Sequence, residues 1–117
     1  MSGETPIRLG VSLYSFTNEF LGRSHDLPAL LRETAARGLG PGLEAVGFQS
    51  FRSFPDVPEP EAARFRETVE AAGLRPTCLG ITADRFLRPG QLVPDHDLIE
   101  YHARQMRSAR RLGFSLV

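Results

Sequence analysis

Apolar residues follow two spacings along this chain, and the two spacings alternate. Short apolar runs bounded by turn-forming residues predict β-strands near residues 7–13, 43–48, 75–81 and 114–117. Between these runs, apolar residues recur every three or four positions, which predicts amphipathic helices near residues 26–37, 61–72 and 97–112. The predicted order of elements is therefore β-α-β-α-β-α-β.

Each predicted helix has one apolar face and a glycine at its C-terminal end. The faces consist of Leu27, Leu30, Leu31, Thr34 and Ala35, then Ala62, Phe65, Val69 and Ala72, then Ile99, Ala103, Met106 and Ala109. Gly38, Gly73 and Gly113 follow the three helices, and glycine readily takes the left-handed conformation that ends a helix. Asp95 or Asp97 can cap the last helix at its N-terminus.

The connections after the strands are long, whereas those after the helices are short. A repeated βα unit of this kind predicts an α/β fold with parallel strands and right-handed crossovers. The chain ends at Val117, inside the predicted fourth strand, and a domain seldom leaves such a strand uncovered. We therefore expect residues 1–117 to form one incomplete domain, the N-terminal piece of a longer barrel. The alternative is a half barrel that completes itself by dimerising.

The charge balance and the residue usage exclude several classes of function. The 117 residues carry 14 basic and 14 acidic side chains, which gives no electrostatic attraction to nucleic acid or to an acidic membrane. All basic residues are Arg, which excludes a Schiff-base or P-loop lysine within this chain. Cys78 is the only cysteine, and neither a signal peptide nor a membrane-spanning run is recognisable. A cytoplasmic protein is therefore expected.

Residues able to bind a polar ligand cluster where the predicted strands end, which is where ligands bind in α/β folds. The candidate substrate-binding residues are Tyr14, Phe16, Glu44, Phe48, Gln49 and Thr82. Aromatic rings can stack on a sugar ring, while amides and carboxylates bind hydroxyl groups, so the set predicts a small sugar or polyol ligand. In the alternative interpretation, the aromatic residues pack the barrel mouth and Glu44 pairs with an arginine.

Four segments resemble, in order, the first strands and helices of the xylose-isomerase-like TIM barrels, the family of the sugar phosphate isomerases and epimerases. The segments read IRLGVSLYSF, LLRETAARGLGPGLEAVGF, FRETVEAAGLRPTCLGI and RQMRSARRLGFSLV. The closer matches are EAAGLRP at residues 70–76 and ARRLG at residues 109–113. The resemblance covers nearly the whole chain and implies the N-terminal half of a (β/α)8 TIM barrel.

The resemblance implies a sugar or polyol isomerase or epimerase, which moves a proton at the carbon beside a carbonyl with the help of Mn²⁺ or a similar divalent metal. It assigns the metal ligands and the catalytic carboxylates to the second half of the barrel. We therefore expect no catalytic residue and no metal ligand in this chain, and no activity from the chain alone. From the first half, the resemblance carries over substrate contacts at Tyr14 or Phe16, Glu44, Phe48 and Gln49.

Two other functions remain open. The same family includes a branch of metal-dependent lyases, or deglycosidases, that cleave carbon-linked sugars by a related proton transfer. A non-catalytic half-barrel subunit that binds a partner chain or self-associates is the other possibility, and the protein could be a homo-oligomer.

Overall fold

The structure is a computed structural model that describes residues 7–22, 26–85 and 89–117. The described elements, in chain order, are β1 (Gly10–Ser12), a 3-10 turn (Leu13–Phe16), α1 (Thr17–Leu21), α2 (Leu27–Ala36), β2 (Gly42–Val46), α3 (Gly47–Ser50), α4 (Glu59–Ala71), β3 (Arg75–Gly80) and α5 (Asp95–Leu112). The three strands form one parallel sheet in the order β1-β2-β3. This confirms the predicted α/β class and the parallel strands.

The core lies between the sheet and the helices. Strand β2 buries Leu43 and Ala45, whereas Glu44 between them lies on the exposed opposite face, because side chains alternate between the two faces of a strand. Under the helices, the ring of Phe65 meets Phe51 edge-on at 5.1 Å and stacks on Phe114 at 5.8 Å. One face of the sheet is therefore packed, and the face that carries Glu44 is open.

Helices α2 and α4 bury residues of the apolar faces that the sequence predicts. Leu30, Leu31 and Thr34 are buried in α2, and Ala62, Phe65 and Val69 are buried in α4. The side chain of Asp26 caps α2 by accepting a hydrogen bond of 2.8 Å from the amide of Ala29. Such a cap satisfies one of the amide groups that the first turn of a helix leaves unpaired.

The first two strands end earlier than the sequence predicts. Strand β1 ends at Ser12, whose hydroxyl accepts a hydrogen bond of 3.3 Å from the amide of Tyr14. This local bond competes with strand pairing and starts the 3-10 turn. Strand β2 ends at Val46, since the next residues, including Phe48 and Gln49, form the short helix α3.

The predicted fourth strand is a single bridge in the structure. Leu116 pairs with Cys78 of β3 in parallel, and its carbonyl accepts a hydrogen bond of 3.0 Å from the amide of Leu79. Phe114 is instead directed into the core, where it stacks on Phe65. The segment therefore pairs with β3 at a single residue, whereas the sequence predicts a strand over residues 114–117.

The predicted buried face of the last helix is correct at Ala109, but it is wrong at Ile99 and Met106. Ile99 and Met106 are 69% and 50% exposed, whereas Gln105 and Ser108 are buried beside Ala109 and Leu112. The buried side chains of Gln105 and Ser108 hydrogen-bond to loops, and these bonds fix the rotation of α5 about its own axis. The helix begins after Pro94 without a side-chain cap, contrary to the cap predicted at Asp95 or Asp97, and it ends at Gly113 with a φ of 92°.

Candidate functional site

The structure distributes the six predicted substrate-binding residues over four places. Tyr14, Phe48 and Gln49 line one groove of about 920 Å³. Phe16 instead packs against the hydrophobic core, as the alternative interpretation of the aromatic residues has it. Glu44 lies on the open face of the sheet, and Thr82 follows β3 near α5.

The groove lies where β1 and β2 end, as a ligand site of an α/β fold does. Its walls come from the 3-10 turn and α1, from α3, from the N-terminal part of α2, and from α4 between residues 61 and 68. We call it the aromatic groove; its lining includes Tyr14, Phe20, Phe48, Ser50, Phe51 and Phe65, together with Thr17, Gln49 and the charged residues Asp26, Arg52, Glu61, Arg64 and Glu67. Tyr14 and Phe48 are 61% and 58% exposed, which leaves much of their surface available to a ligand.

Close contact between Gly47 and Phe54 forms the turn beside this groove. Gly47 begins α3 directly after β2 and is buried. A Cβ atom at this position would lie 2.3 Å from the ring of Phe54, much closer than atoms pack. Glycine is therefore favoured here, because any larger side chain would force the Phe54 ring to shift.

The polar side chains Gln49 and Thr17 are already bonded within the protein. The Gln49 amide nitrogen donates to the Thr17 hydroxyl at 3.2 Å and to the Leu13 carbonyl at 3.5 Å. The Thr17 hydroxyl donates to the Tyr14 carbonyl at 2.5 Å. These bonds tie the segment after β1 to the segment after β2, so Gln49 has a structural role, and binding of substrate by Gln49 remains a prediction.

Ser50 differs from its polar neighbours. Its hydroxyl oxygen is buried at the aromatic groove and has no hydrogen-bond partner within the part of the chain that the structure describes. A buried polar group without a partner costs about 1–3 kcal/mol, and such a group in a native protein calls for an explanation. Sequence reasoning missed Ser50, because a single serine in a loop-rich segment carries no pattern.

Glu44 lies in the middle of β2 on the face away from the helices. In the sheet register it stands between Ser12 of β1 and Cys78 of β3. It is exposed and forms no ion pair with any of the described arginines, so the alternative pairing with an arginine is not observed. In a closed barrel this face of a strand is the interior.

Thr82 is held at the end of β3 by a residue that sequence reasoning missed. Gln105 of α5 is fully buried, and its side-chain oxygen accepts from the Thr82 amide at 3.2 Å while its nitrogen donates to the Thr82 carbonyl at 2.8 Å. A glutamine within an otherwise apolar helix face is the signal that could have identified it, since a buried amide needs such partners.

Helix α5 also holds the loop between α3 and α4. Ser108 accepts a hydrogen bond of 2.9 Å from the amide of the fully buried Val57, and Arg111 donates to the Val57 carbonyl at 3.1 Å. Arg104 forms a two-pronged ion pair with Asp56. The hydrogen bond from the Arg104 guanidinium lowers the pKa of the Asp56 carboxyl below its ordinary value, and the same hydrogen bond to Asp56 raises the pKa of Arg104.

No group of three or more His, Cys, Asp or Glu side chains in residues 7–22, 26–85 and 89–117 could hold a metal ion. None of the helices described here combines the length and the apolar character needed to cross a membrane.

Three curated proteins are similar to nearly the whole chain. A C-glycoside deglycosidase alpha subunit of Microbacterium trichothecenolyticum is 46% identical over 96% of the chain, and one of Arthrobacter globiformis is 44% identical over 96%. A 3'-dehydrocarminate deglycosidase alpha subunit of Microbacterium sp is 42% identical over 94%. The chain spans 30% to 32% of the length of these relatives. The name alpha subunit implies a complex of several subunits.

A solved structure shares the fold. It is a sugar phosphate isomerase/epimerase from Parabacteroides distasonis, which matches 98% of this chain and 40% of its own with a TM-score of 0.59 at 21% identity. At that identity the likeness shows the fold and no more. No protein-family model matches the chain.

Proposed function

We propose that this chain, which has the fold of part of a xylose-isomerase-like TIM barrel, belongs to the alpha subunit of a deglycosidase that cleaves carbon-linked sugars. The observation that carries the proposal is the 42% to 46% identity to three proteins of that name over nearly the whole chain. The isomerase/epimerase shares 21% identity, so it supports the fold and leaves an isomerase function as the weaker alternative.

The names of the relatives indicate the chemistry. In a C-glycoside the anomeric carbon of the sugar is bonded to a carbon of the aglycone, and 3'-dehydro denotes a ketone two carbons from that anomeric carbon. The carbon between them is acidified by the ketone. A base removes its proton, the electron pair forms a double bond to the anomeric carbon, and the bond to the aglycone breaks. The aglycone carbon keeps the electron pair of that bond and takes up a proton.

This elimination shares its first step with sugar isomerisation and epimerisation, since all three remove a proton beside a carbonyl. It needs no added oxidant, because the substrate already carries the ketone. One barrel type can therefore serve the elimination as well as isomerisation and epimerisation, with different groups around the substrate.

Within this chain we assign substrate binding to two places. The aromatic groove offers the exposed rings of Tyr14 and Phe48 where β1 and β2 end. Glu44 offers a carboxylate on the face that would form a barrel interior, where it could accept a hydrogen bond from a sugar hydroxyl. The proposed small-molecule substrate is therefore a glycoside. The sequence by itself predicts only the sugar part of that substrate.

A divalent metal would polarise the ketone of such a substrate. The described residues do not fit a metal ion, because they contain no cluster of potential ligands. Metal binding by the whole protein, with Mn²⁺ as the expected ion, remains part of the proposal.

The proposal also includes a partner chain, because the relatives are named alpha subunits. We expect the intact protein that carries this chain to assemble with a second, different subunit. Self-association of identical chains is the alternative, and light scattering of the protein alone and with the second subunit distinguishes the two.

The test is a comparison of two reactions. The intact protein, with its second subunit and Mn²⁺, is incubated with a 3'-keto C-glycoside, and release of the free aglycone is followed by chromatography. Parallel incubations contain common ketoses and sugar phosphates. We expect aglycone release without epimerisation of the ketoses. Epimerisation without aglycone release would overturn the deglycosidase proposal in favour of the isomerase alternative.

A pair of variants tests whether this chain contributes to that activity. Glu44→Gln removes the charge on the open sheet face, and we expect it to lower kcat/KM. Glu70→Gln, at an exposed glutamate on α4 that does not line the aromatic groove, is the matched control. Equal activity of both variants would show that Glu44 does not contact the substrate.

A further inference from the structure

We infer that Gln105 is a positioning residue for the substrate and that it acts through the hydroxyl of Thr82. The group that Thr82 binds is a hydroxyl of the sugar, on the same open face of the sheet to which Glu44 is assigned. The inference rests on the proposed function. It follows from the hydrogen bonds of Gln105, from the place of Thr82 on the sheet and from the anchoring of the segment after Thr82.

Gln105 is a polar side chain at a position that an apolar residue would ordinarily occupy. It is fully buried on α5 beside Ala109 and Leu112. Its side-chain oxygen accepts from the Thr82 amide at 3.2 Å, and its side-chain nitrogen donates to the Thr82 carbonyl at 2.8 Å. A buried amide is costly unless it is hydrogen-bonded, and here both of its polar atoms bond to one residue. Gln105 therefore fixes the position and the orientation of the Thr82 backbone.

These two bonds leave the hydroxyl as the unbonded polar group of Thr82. Gln105 occupies the amide and the carbonyl, whereas the hydroxyl makes no hydrogen bond to any residue that the structure describes. Thr82 is also exposed. A threonine hydroxyl can both donate and accept a hydrogen bond, and a sugar hydroxyl can do the same. The side chain of Thr82 is therefore available to a sugar, while its backbone is held in place.

Thr82 follows β3 on the face of the sheet that carries Glu44. In the sheet register Glu44 is level with Cys78 of β3. Ile81 packs against the hydrophobic core, so the alternation of side chains along an extended chain directs Thr82 to the opposite, open face. Thr82 is nearer than Glu44 to the carboxyl ends of the strands, where ligands of α/β folds bind. The two residues therefore offer a hydroxyl and a carboxylate on one face.

The segment after Thr82 is anchored as well. The carbonyl of Arg85 accepts a hydrogen bond of 2.9 Å from the amide of Val93, and the Arg85 guanidinium forms an ion pair with Asp95 at the start of α5. Thr82 and Arg85 are therefore both tied to α5 or to the residues just before it. A group that is already held in place loses less conformational entropy when a ligand binds. This preorganisation is what Gln105 supplies to the Thr82 hydroxyl.

The first test removes the hydroxyl of Thr82. The intact protein, with its second subunit and Mn²⁺, cleaves a 3'-keto C-glycoside at a series of substrate concentrations, so that KM and kcat are measured separately. Thr82→Val replaces the hydroxyl by a methyl group and should raise KM by about 3- to 10-fold, from the loss of one hydrogen bond. We expect little change in kcat, because the bond is made equally in the bound substrate and in the transition state. Thr82→Ser keeps the hydroxyl and should stay close to the wild type.

A double-mutant cycle then tests whether Gln105 acts through that hydroxyl. Gln105→Met removes both bonds to Thr82 while keeping a side chain of similar length, and it should raise KM by a similar factor. Combined with Thr82→Val it should raise KM no further, because the hydroxyl that it positions is already absent. A purely structural role of Gln105 would instead leave KM unchanged or give increases that multiply. If Gln105→Met does not fold, Gln105→Asn, whose amide is too short to reach Thr82, replaces it in the cycle.

Val69→Ala is the matched control for loss of stability. Val69 is buried in the core on α4 and does not line the aromatic groove. This variant should lower the urea midpoint without changing KM, which separates a weaker fold from a displaced substrate contact. A KM that Thr82→Val leaves unchanged, or increases that multiply in the double variant, would overturn the inference.

Failure of the inference and failure of the proposed function give different results. Release of the aglycone with the same KM in Thr82→Val and in the wild type keeps the function and rejects the role of Gln105. Epimerisation of ketoses without release of an aglycone rejects the function. In that case the same coupling of Thr82 and Gln105 in the KM for the ketose would still support the positioning role, and its absence would overturn it.

Discussion

Replacing Ser108 by alanine should lower the free energy of unfolding more than replacing an exposed serine by alanine does. Ser108 is 1% exposed on α5, and its hydroxyl joins two backbone groups of the loop between α3 and α4. It accepts from the amide of Val57 and donates to the carbonyl of Pro55. Ser108→Ala removes both bonds while leaving a side chain that still fits the helix.

The expected loss of stability depends on whether water can replace Ser108 as the hydrogen-bond partner of each backbone group. Val57 is fully buried, so water cannot reach its amide, and an unsatisfied buried donor costs about 1–3 kcal/mol. Pro55 is half-buried, so its carbonyl can bond to water, and this loss is about 0.5–1.5 kcal/mol at most. Since Arg111 and Arg104 still hold the loop, we expect a total of about 2 to 3 kcal/mol.

Urea unfolding of the intact protein measures this directly. With a slope of about 1–3 kcal/mol per molar urea, the midpoint should fall by roughly 0.7 to 3 M at an unchanged slope. Ser115→Ala is the matched control, because Ser115 is exposed and should change the free energy of unfolding by less than about 0.5 kcal/mol. A loss below about 0.5 kcal/mol in Ser108→Ala would refute the role of the buried Val57 amide.

Three further predictions concern other contacts. Asp56→Asn should lower the urea midpoint at neutral pH, because the pKa of Asp56 is lowered in the folded state. The difference from the wild type should persist above the ordinary carboxyl pKa and vanish as the pH falls through the lowered pKa of the folded state. Gly47→Ala should destabilise by about 1–3 kcal/mol, because the new Cβ atom meets the Phe54 ring, whereas Gly73→Ala meets no neighbouring atom and should act through its backbone alone. Glu44→Gln should change the free energy of unfolding by less than about 0.5 kcal/mol in the same assay, because Glu44 is exposed.

The fold class could be predicted from the sequence because burial and periodicity coincide in most of the chain. Leu43 and Ala45 alternate with exposed neighbours in β2, and Ala62, Phe65 and Val69 repeat at helical spacing in α4. Both patterns arise directly from the geometry of a strand and of a helix. The parallel order then follows from the alternation of strands and helices.

The rotation of α5 could not be predicted in the same way. Ile99 and Met106 are apolar and correctly spaced, but the structure exposes them and buries Gln105 and Ser108. Hydrophobic periodicity counts apolar residues only, whereas these two polar side chains gain bonds to backbone groups of distant loops. Contacts separated by so many residues have no signature in a single sequence.

The candidate site was predictable in part for a related reason. The order of strands and helices is enough to identify the residues that follow each strand. Of these, Tyr14 and Phe48 do line the same groove. The roles of Gln49 and Ser50 depend on which hydrogen bonds are already made, and these depend on the 3-10 turn and on α3. Both of these elements were predicted as loop or strand, so the division between bonded and free polar groups could not be foreseen.

The polar face of α5 and the aromatic groove depend on the same loop. Ser108, Arg104 and Arg111 fix residues 55–57, and α4 begins two residues later at Glu59. Helix α4 in turn supplies Phe65 to the wall of the groove. Side chains of α5 therefore hold the loop that leads into one wall of the aromatic groove. Ser108, a buried polar residue that apolar periodicity overlooks, is one of them.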